Sequence, residues 1–154
     1  MEKPGVPEVL QAPAGEDLVL QAHASGFQIY VCRPGVDGQP AWILKAPEAR
    51  LSDHDGNVIG THFAGPTWRH NDGSQISASV AVRVEAPGPS AIPWLLLTVS
   101  GHSGSGIFSR VSSIQRINTV AGLPPAVAGC GGSHLEAEFR SPYSADYYFY
   151  ARRA

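Results

Sequence analysis

The chain is poor in charge, in cysteine and in long apolar runs, and each shortage removes a class of protein. Charged residues are only 16% of the 154, and the formal net charge is −2. Such a balance offers no electrostatic footprint for DNA or RNA. Arg152-Arg153, the one adjacent basic pair, stands at the C-terminus, so no nucleic-acid partner is expected. The longest apolar run, Ile92 to Val99, is strand-sized. It falls far short of the roughly 18 residues a membrane helix needs, so the chain is expected not to be transmembrane. A hydrophobic share of 43% argues against a disordered polymer. Nothing in the sequence reports oligomeric state.

Helical periodicity is missing too, and what remains is strand. Alternation is clearest at Gln75–Glu85, where Ile76, Ala78, Val80, Val82 and Val84 point one way. Further strands are expected at Leu18–Ala24, Phe27–Arg33, Trp42–Ala46, Asn57–His62, Pro93–Ser100, Ser112–Val120 and Ala145–Arg152. WLLLTV lacks alternation and reads as a central strand buried on both faces. Asp37-Gly38, Asp55-Gly56 and Asp72-Gly73 mark tight turns at the close spacing of an all-β domain. The fold class is all-β and antiparallel, with a β-sandwich favoured over a closed β-barrel. Pro4, Pro7 and Pro13 make residues 1–15 an extended N-terminal arm, ahead of one all-β domain at 16–154. Residues 106–110 allow a single turn, and Gly122–Ser133 is a loop.

Cys32 and Cys130, nearly 100 residues apart, are either a disulfide or two unrelated buried thiols. MEKPGVPEVLQAP holds no apolar signal core. Either the protein is cytoplasmic, or Met1 is a start placed after a removed signal peptide, and the second reading is preferred.

The ordered succession FQIYVC, a Trp, PEARL, DGNVIGTHFAGPTW, DGS, AIPWLLL, IQRINT, a later Cys and PYSADYYFY carries a resemblance. Over roughly Gly5 to Tyr150 it resembles a domain-of-unknown-function family of small exported bacterial and fungal proteins. Some fungal members carry a malate dehydrogenase label. The resemblance implies a secreted or periplasmic location and a disulfide between Cys32 and Cys130. The dehydrogenase label has no counterpart here, because the chain lacks the Gly-rich strand-to-helix turn of a βαβ unit.

Chelation-capable side chains gather between Pro47 and Ser74, which hold His54, His62 and His70, Asp53, Asp55 and Asp72, and Trp68. If the strands around the two turns pair, His54, His62 and His70 would form a transition-metal set. Asp53, Asp55 and Asn57 alternate as a hard-cation loop does, but turn chemistry explains them without an ion. In GHSGSG, at 101–106, His102 stands beside Ser103 and Ser105. Neighbours on a strand face opposite ways, so this is no triad but a loop bordering a pocket. Aromatic residues favour a binding module: Trp42, Trp68, Trp94 and the YYFY run at 147–150. Within that run Tyr147 and Phe149 face one side and Tyr148 and Tyr150 the other.

The expected function is binding of a small-molecule or extracellular ligand through His62, Trp68, His70 and Asp72. A metal-dependent oxidoreductase or hydrolase built on the histidines is the rival, and a structural cell-surface protein the third reading. No cofactor is expected, with a transition metal as the alternative. Catalytic residues are not identifiable from the sequence.

Overall fold

The computed structural model describes residues 2–154, and Met1, where the expected arm begins, lies outside the described residues. Eight strands form one antiparallel sheet. They are β1 (Glu16–Pro34), β2 (Pro40–Ser52), β3 (Val58–Phe63), β4 (Thr67–His70), β5 (Gln75–Val84), β6 (Trp94–Ser103), β7 (Val111–Ala121) and β8 (Glu138–Arg152). Each pairs with the next, and β8 returns to β1, from Glu16↔Arg152 to Val31↔Glu138. The antiparallel all-β expectation is borne out. Of the two arrangements weighed, the pairing decides for the closed barrel: among the described residues there is no second sheet to stack as in a sandwich. Closure leaves no free strand edge. Among the described residues the only helical elements are three short 3-10 turns, and no helix is long and apolar enough to cross a membrane.

The three Asp-Gly pairs fall between β1 and β2, β2 and β3, and β4 and β5, with glycine φ of +80°, +87° and +95°. Those left-handed angles let the chain reverse within a few residues. The two strands expected at 18–24 and 27–33 are one long β1, and β4 had not been foreseen. Because neighbours are antiparallel, connections alternate between two ends. The upper end carries the β1–β2, β3–β4, β5–β6 and β7–β8 connections. The lower end carries β2–β3, β4–β5 and β6–β7.

Two strand readings change in the barrel. WLLLTV is not doubly buried: Leu95 and Leu97 point inward at 5% and 2% exposure, while Leu96 is half-exposed outside. On β5 a bulge between Val80 and Val82 breaks the alternation. Val80 pairs with inward Leu97, and Arg83 with inward Leu95. Val82 and Val84 pair with outward Leu96 and Trp94. One extra residue in the strand thus turns two valines out and an arginine in.

The YYFY run splits as its alternation requires. Tyr147 and Phe149 join the interior core, and Tyr148 and Tyr150 face outward. The outward pair is nevertheless buried, because the N-terminal arm crosses this wall. Val6, Ala12 and Leu18 pack against Ile117, Tyr148 and Tyr150, and Leu10, at the end of a 3-10 turn over Glu8–Leu10, is fully buried. Gln115 ties arm to wall: its Nε2 donates to Leu10 O at 2.8 Å, and its Oε1 accepts from Tyr150 Oη at 2.8 Å.

Cys32 and Cys130 form the disulfide that the resemblance implied, with Cα atoms 5.5 Å apart. It anchors the long β7–β8 connection to β1, beside backbone bonds Cys32 N to Ala137 O and Glu136 N to Cys32 O. Closing a loop over a sequence separation of 98 contributes about 4–5 kcal/mol in the chain-entropy account.

Candidate ligand cavity

The two ends of the barrel are finished differently. At the lower end the 104–110 connection folds back and inserts Phe108, fully buried, against Phe149 at a centroid distance of 4.7 Å. The carboxylate of Asp72 holds that connection in place. It accepts from Ser74 N at 2.9 Å, Ser74 Oγ at 2.6 Å and Ile107 N at 2.8 Å. These bonds, the Ser74 hydroxyl above all, pull the Asp72 carboxyl pKa down to about 2. GHSGSG therefore helps to close the lower end, where His102 lines a small pocket with Val99 and Arg110, and His102 Nε2 donates to Val111 O at 2.7 Å.

At the upper end a cavity of about 530 Å³ enters the barrel, with at least one lining residue from every strand. Its floor is the pair His62 and Trp68, directly opposite each other on β3 and β4. Both are buried, at 3% and 1% exposure. Their rings stack at 4.2 Å, 16° from parallel, and Tyr147 meets both edge-on at 5.2 and 5.6 Å. Around the rim stand Leu44 to Pro47, the Gly65-Pro66 turn, Val80, Arg83, Ile92 and Pro93.

Neighbouring groups set the chemistry of His62. Nδ1 lies 2.8 Å from Thr67 O. A carbonyl only accepts, so Nδ1 carries the proton and Nε2 keeps a free lone pair. Burial pushes the ring pKa down to about 3, against the smaller upward pull of the Thr67 bond, and the Arg116 charge adds to the depression. His62 is therefore a neutral imidazole at any physiological pH.

Arg116 projects inward from β7, paired with Leu95 on one side and Tyr147 on the other. Its Nε and Nη2 donate to Pro93 O at 3.1 and 2.8 Å, which fixes the guanidinium beside the rim. Burial raises the hydroxyl pKa values of Tyr30, Tyr143 and Tyr147, and Arg116 opposes the rise in all three. Those hydroxyls stay protonated as donors; Tyr30 gives its proton to Gly122 O at 2.6 Å, and Tyr143 and Tyr147 oxygens lie 3.3 Å apart.

The structure separates the residues singled out from the sequence. His62 and Trp68 meet in the cavity. His70 faces inward one pair below, edge-on to Phe108 at 5.9 Å, with its Nδ1 accepting from Asp72 N at 3.1 Å. His70 and Asp72 thus belong to the lower closure. His54 is exposed on the β2–β3 turn, and His54, His62 and His70 do not converge. Among the described residues no three His, Cys, Asp or Glu side chains come together as a metal site. Asp53 spends its carboxylate on the turn, accepting from Asp55 N and Asn57 N, both at 2.9 Å.

Arg116, Tyr30 and Gln28 line the cavity and were missed. The one local signal was a charged residue two positions from Ile114, in the phase that a strand reserves for its interior.

Fold and cavity together define an antiparallel β-barrel with a recessed site, aromatic at its floor, largely apolar along its walls and cationic towards its rim. The chain belongs to the family described as "Protein of unknown function (DUF3455)", which matches residues 13–151 and bears out the resemblance. No curated protein and no solved structure matches the chain.

Proposed function

We propose that this protein binds a small, largely apolar molecule inside the upper half of its barrel. The supporting observation is the cavity itself. Its size of about 530 Å³ falls in the range of small-molecule sites, which are mostly apolar with a few placed polar groups. Leu44, Leu95, Leu97, Ile92 and three prolines supply the apolar wall. The lone pair of His62 and the hydroxyl of Tyr147 supply orientation without charge. Rigid strands, rather than loops, carry these groups, so little ordering is lost on binding.

A neutral naphthylamine dye, N-phenyl-1-naphthylamine, tests this reading through its fluorescence gain in dry surroundings. Saturable binding that Val80→Trp abolishes supports the cavity, since Val80 stands half-exposed at the rim and a larger side chain there blocks it without disturbing the core. Binding unchanged by Val80→Trp sinks the assignment.

The proposal extends to a location outside the reducing cytoplasm, which the Cys32–Cys130 bond supports because disulfides persist in oxidising compartments. Recovery of the chain only from reducing compartments, with free thiols, counts against export.

A further inference from the structure

We infer that the occupant of this cavity is an organic carboxylate, its charged end received by Arg116 and its apolar body lying along Leu44, Leu95 and Leu97. This deepens the binding reading above and depends on it. The first support is a charge imbalance. Three cationic side chains line the cavity, Lys45, Arg83 and Arg116, and no aspartate or glutamate does. Lys45 is paired with Glu138. Arg83 and Arg116 have no carboxylate within ion-pair distance among the described residues.

The second support is the position of Arg116. A guanidinium turned into a barrel loses hydration and normally recovers it through a carboxylate partner. Here its protein acceptors are Pro93 O, which takes one N–H from Nε and one from Nη2, and the neutral hydroxyl of Tyr147. A guanidinium has five N–H groups in a planar fork, so two are left over for a ligand. That arrangement suits a carboxylate, which takes parallel bonds from adjacent N–H groups. Tyr147, on the strand position paired with Arg116, adds a neutral hydroxyl at the same place. His62 adds no charge that would compete for the anion, and its stack on Trp68 presents an apolar surface beneath. Arg83 at the rim provides attraction during approach rather than a buried contact.

The third support is the β5 bulge. It turns Arg83 inward in a strand whose alternation would otherwise place it outside. A bulge that re-aims a cation into a cavity is how such irregularities serve sites.

Calorimetric titration of the full chain with matched probes tests the inference. The probes are 2-naphthoate, 2-naphthamide and 2-naphthylmethylammonium, with octanoate and octanamide as an aliphatic pair. The expected result is a carboxylate bound at least tenfold tighter than its carboxamide, with the ammonium bound weakest. Arg116→Gln should remove that tenfold preference, weakening the carboxylate far more than the carboxamide. Arg83→Gln should weaken carboxylate binding about threefold and flatten its salt dependence. The wild-type charge series decides the matter even where Arg116→Gln fails to fold. Carboxamide binding as tight as carboxylate overturns the anion inference and leaves the cavity reading standing. Absence of binding by every probe overturns both.

Discussion

His62 and Trp68 face each other across β3 and β4 and stack at 4.2 Å, so the cavity floor is an imidazole laid on an indole. Cross-strand pairs of this kind stabilise a sheet through direct contact. This one has a further consequence, because the imidazole is sealed in its neutral form.

The first prediction concerns that proton. The ordinary histidine pKa is 6.5 and that of folded His62 is about 3. Between those values the unfolded chain binds the proton and the folded chain does not. Stability from this group is therefore complete above pH 6.5 and is lost progressively as pH falls towards 3, at about 1.4 kcal/mol per pH unit at most. Melting temperatures across pH 4–7 should slope in wild type and flatten in His62→Gln. Equal slopes in the two proteins would show that His62 is not the group responsible.

Asp72 acts in a different window and at the other end of the barrel. Its pKa of about 2 in place of 3.8 means stability present above pH 3.8 and lost as pH falls towards 2. Asp72→Ala strips an acceptor from Ser74 and Ile107 and should cost about 1–3 kcal/mol in urea unfolding. Because the residue closes the lower end, dye affinity in the upper cavity should stay within twofold. A large loss of affinity with unchanged stability would return Asp72 to the ligand site.

The arm supplies the third prediction. Leu10 is fully buried although it precedes the first strand. Leu10→Ala should cost about 2–5 kcal/mol, the usual range for an emptied leucine site. It should also raise hydrogen exchange along β7 and β8, where Gln115 and Tyr150 lose their cover. A cost under about 0.5 kcal/mol, the level of an ordinary surface change, would mean that the arm merely rests on the wall.

Much of the architecture was legible where its cause is local. Asp-Gly pairs force reversals within four residues, and all three sit at hairpins. Alternation in YYFY sorted Tyr147 and Phe149 from Tyr148 and Tyr150 correctly, because a strand's side chains alternate whatever surrounds it. Of the site, His62 and Trp68 were legible only as members of the His/Trp/Asp cluster between Pro47 and Ser74, and His70 and Asp72 of that cluster went to the lower closure. The cavity partners of His62 and Trp68 were not legible, since Arg116 and Tyr147 lie far along the chain and reach the cavity only through barrel closure.

By itself the sequence determined most of the strands, though not β4, together with turn positions and family membership, all of which depend on neighbouring residues or on their order. Only tertiary structure decided which faces became interior. Closure rests on pairs such as Leu18↔Tyr150, which no short-range pattern encodes. The β5 bulge reverses the alternation by one backbone residue and leaves the side-chain sequence unchanged. The arm then buries an outward aromatic face that periodicity alone would leave in water. Local chemistry can propose a face for each side chain, but the accumulated twist and register of eight strands determine what that face meets.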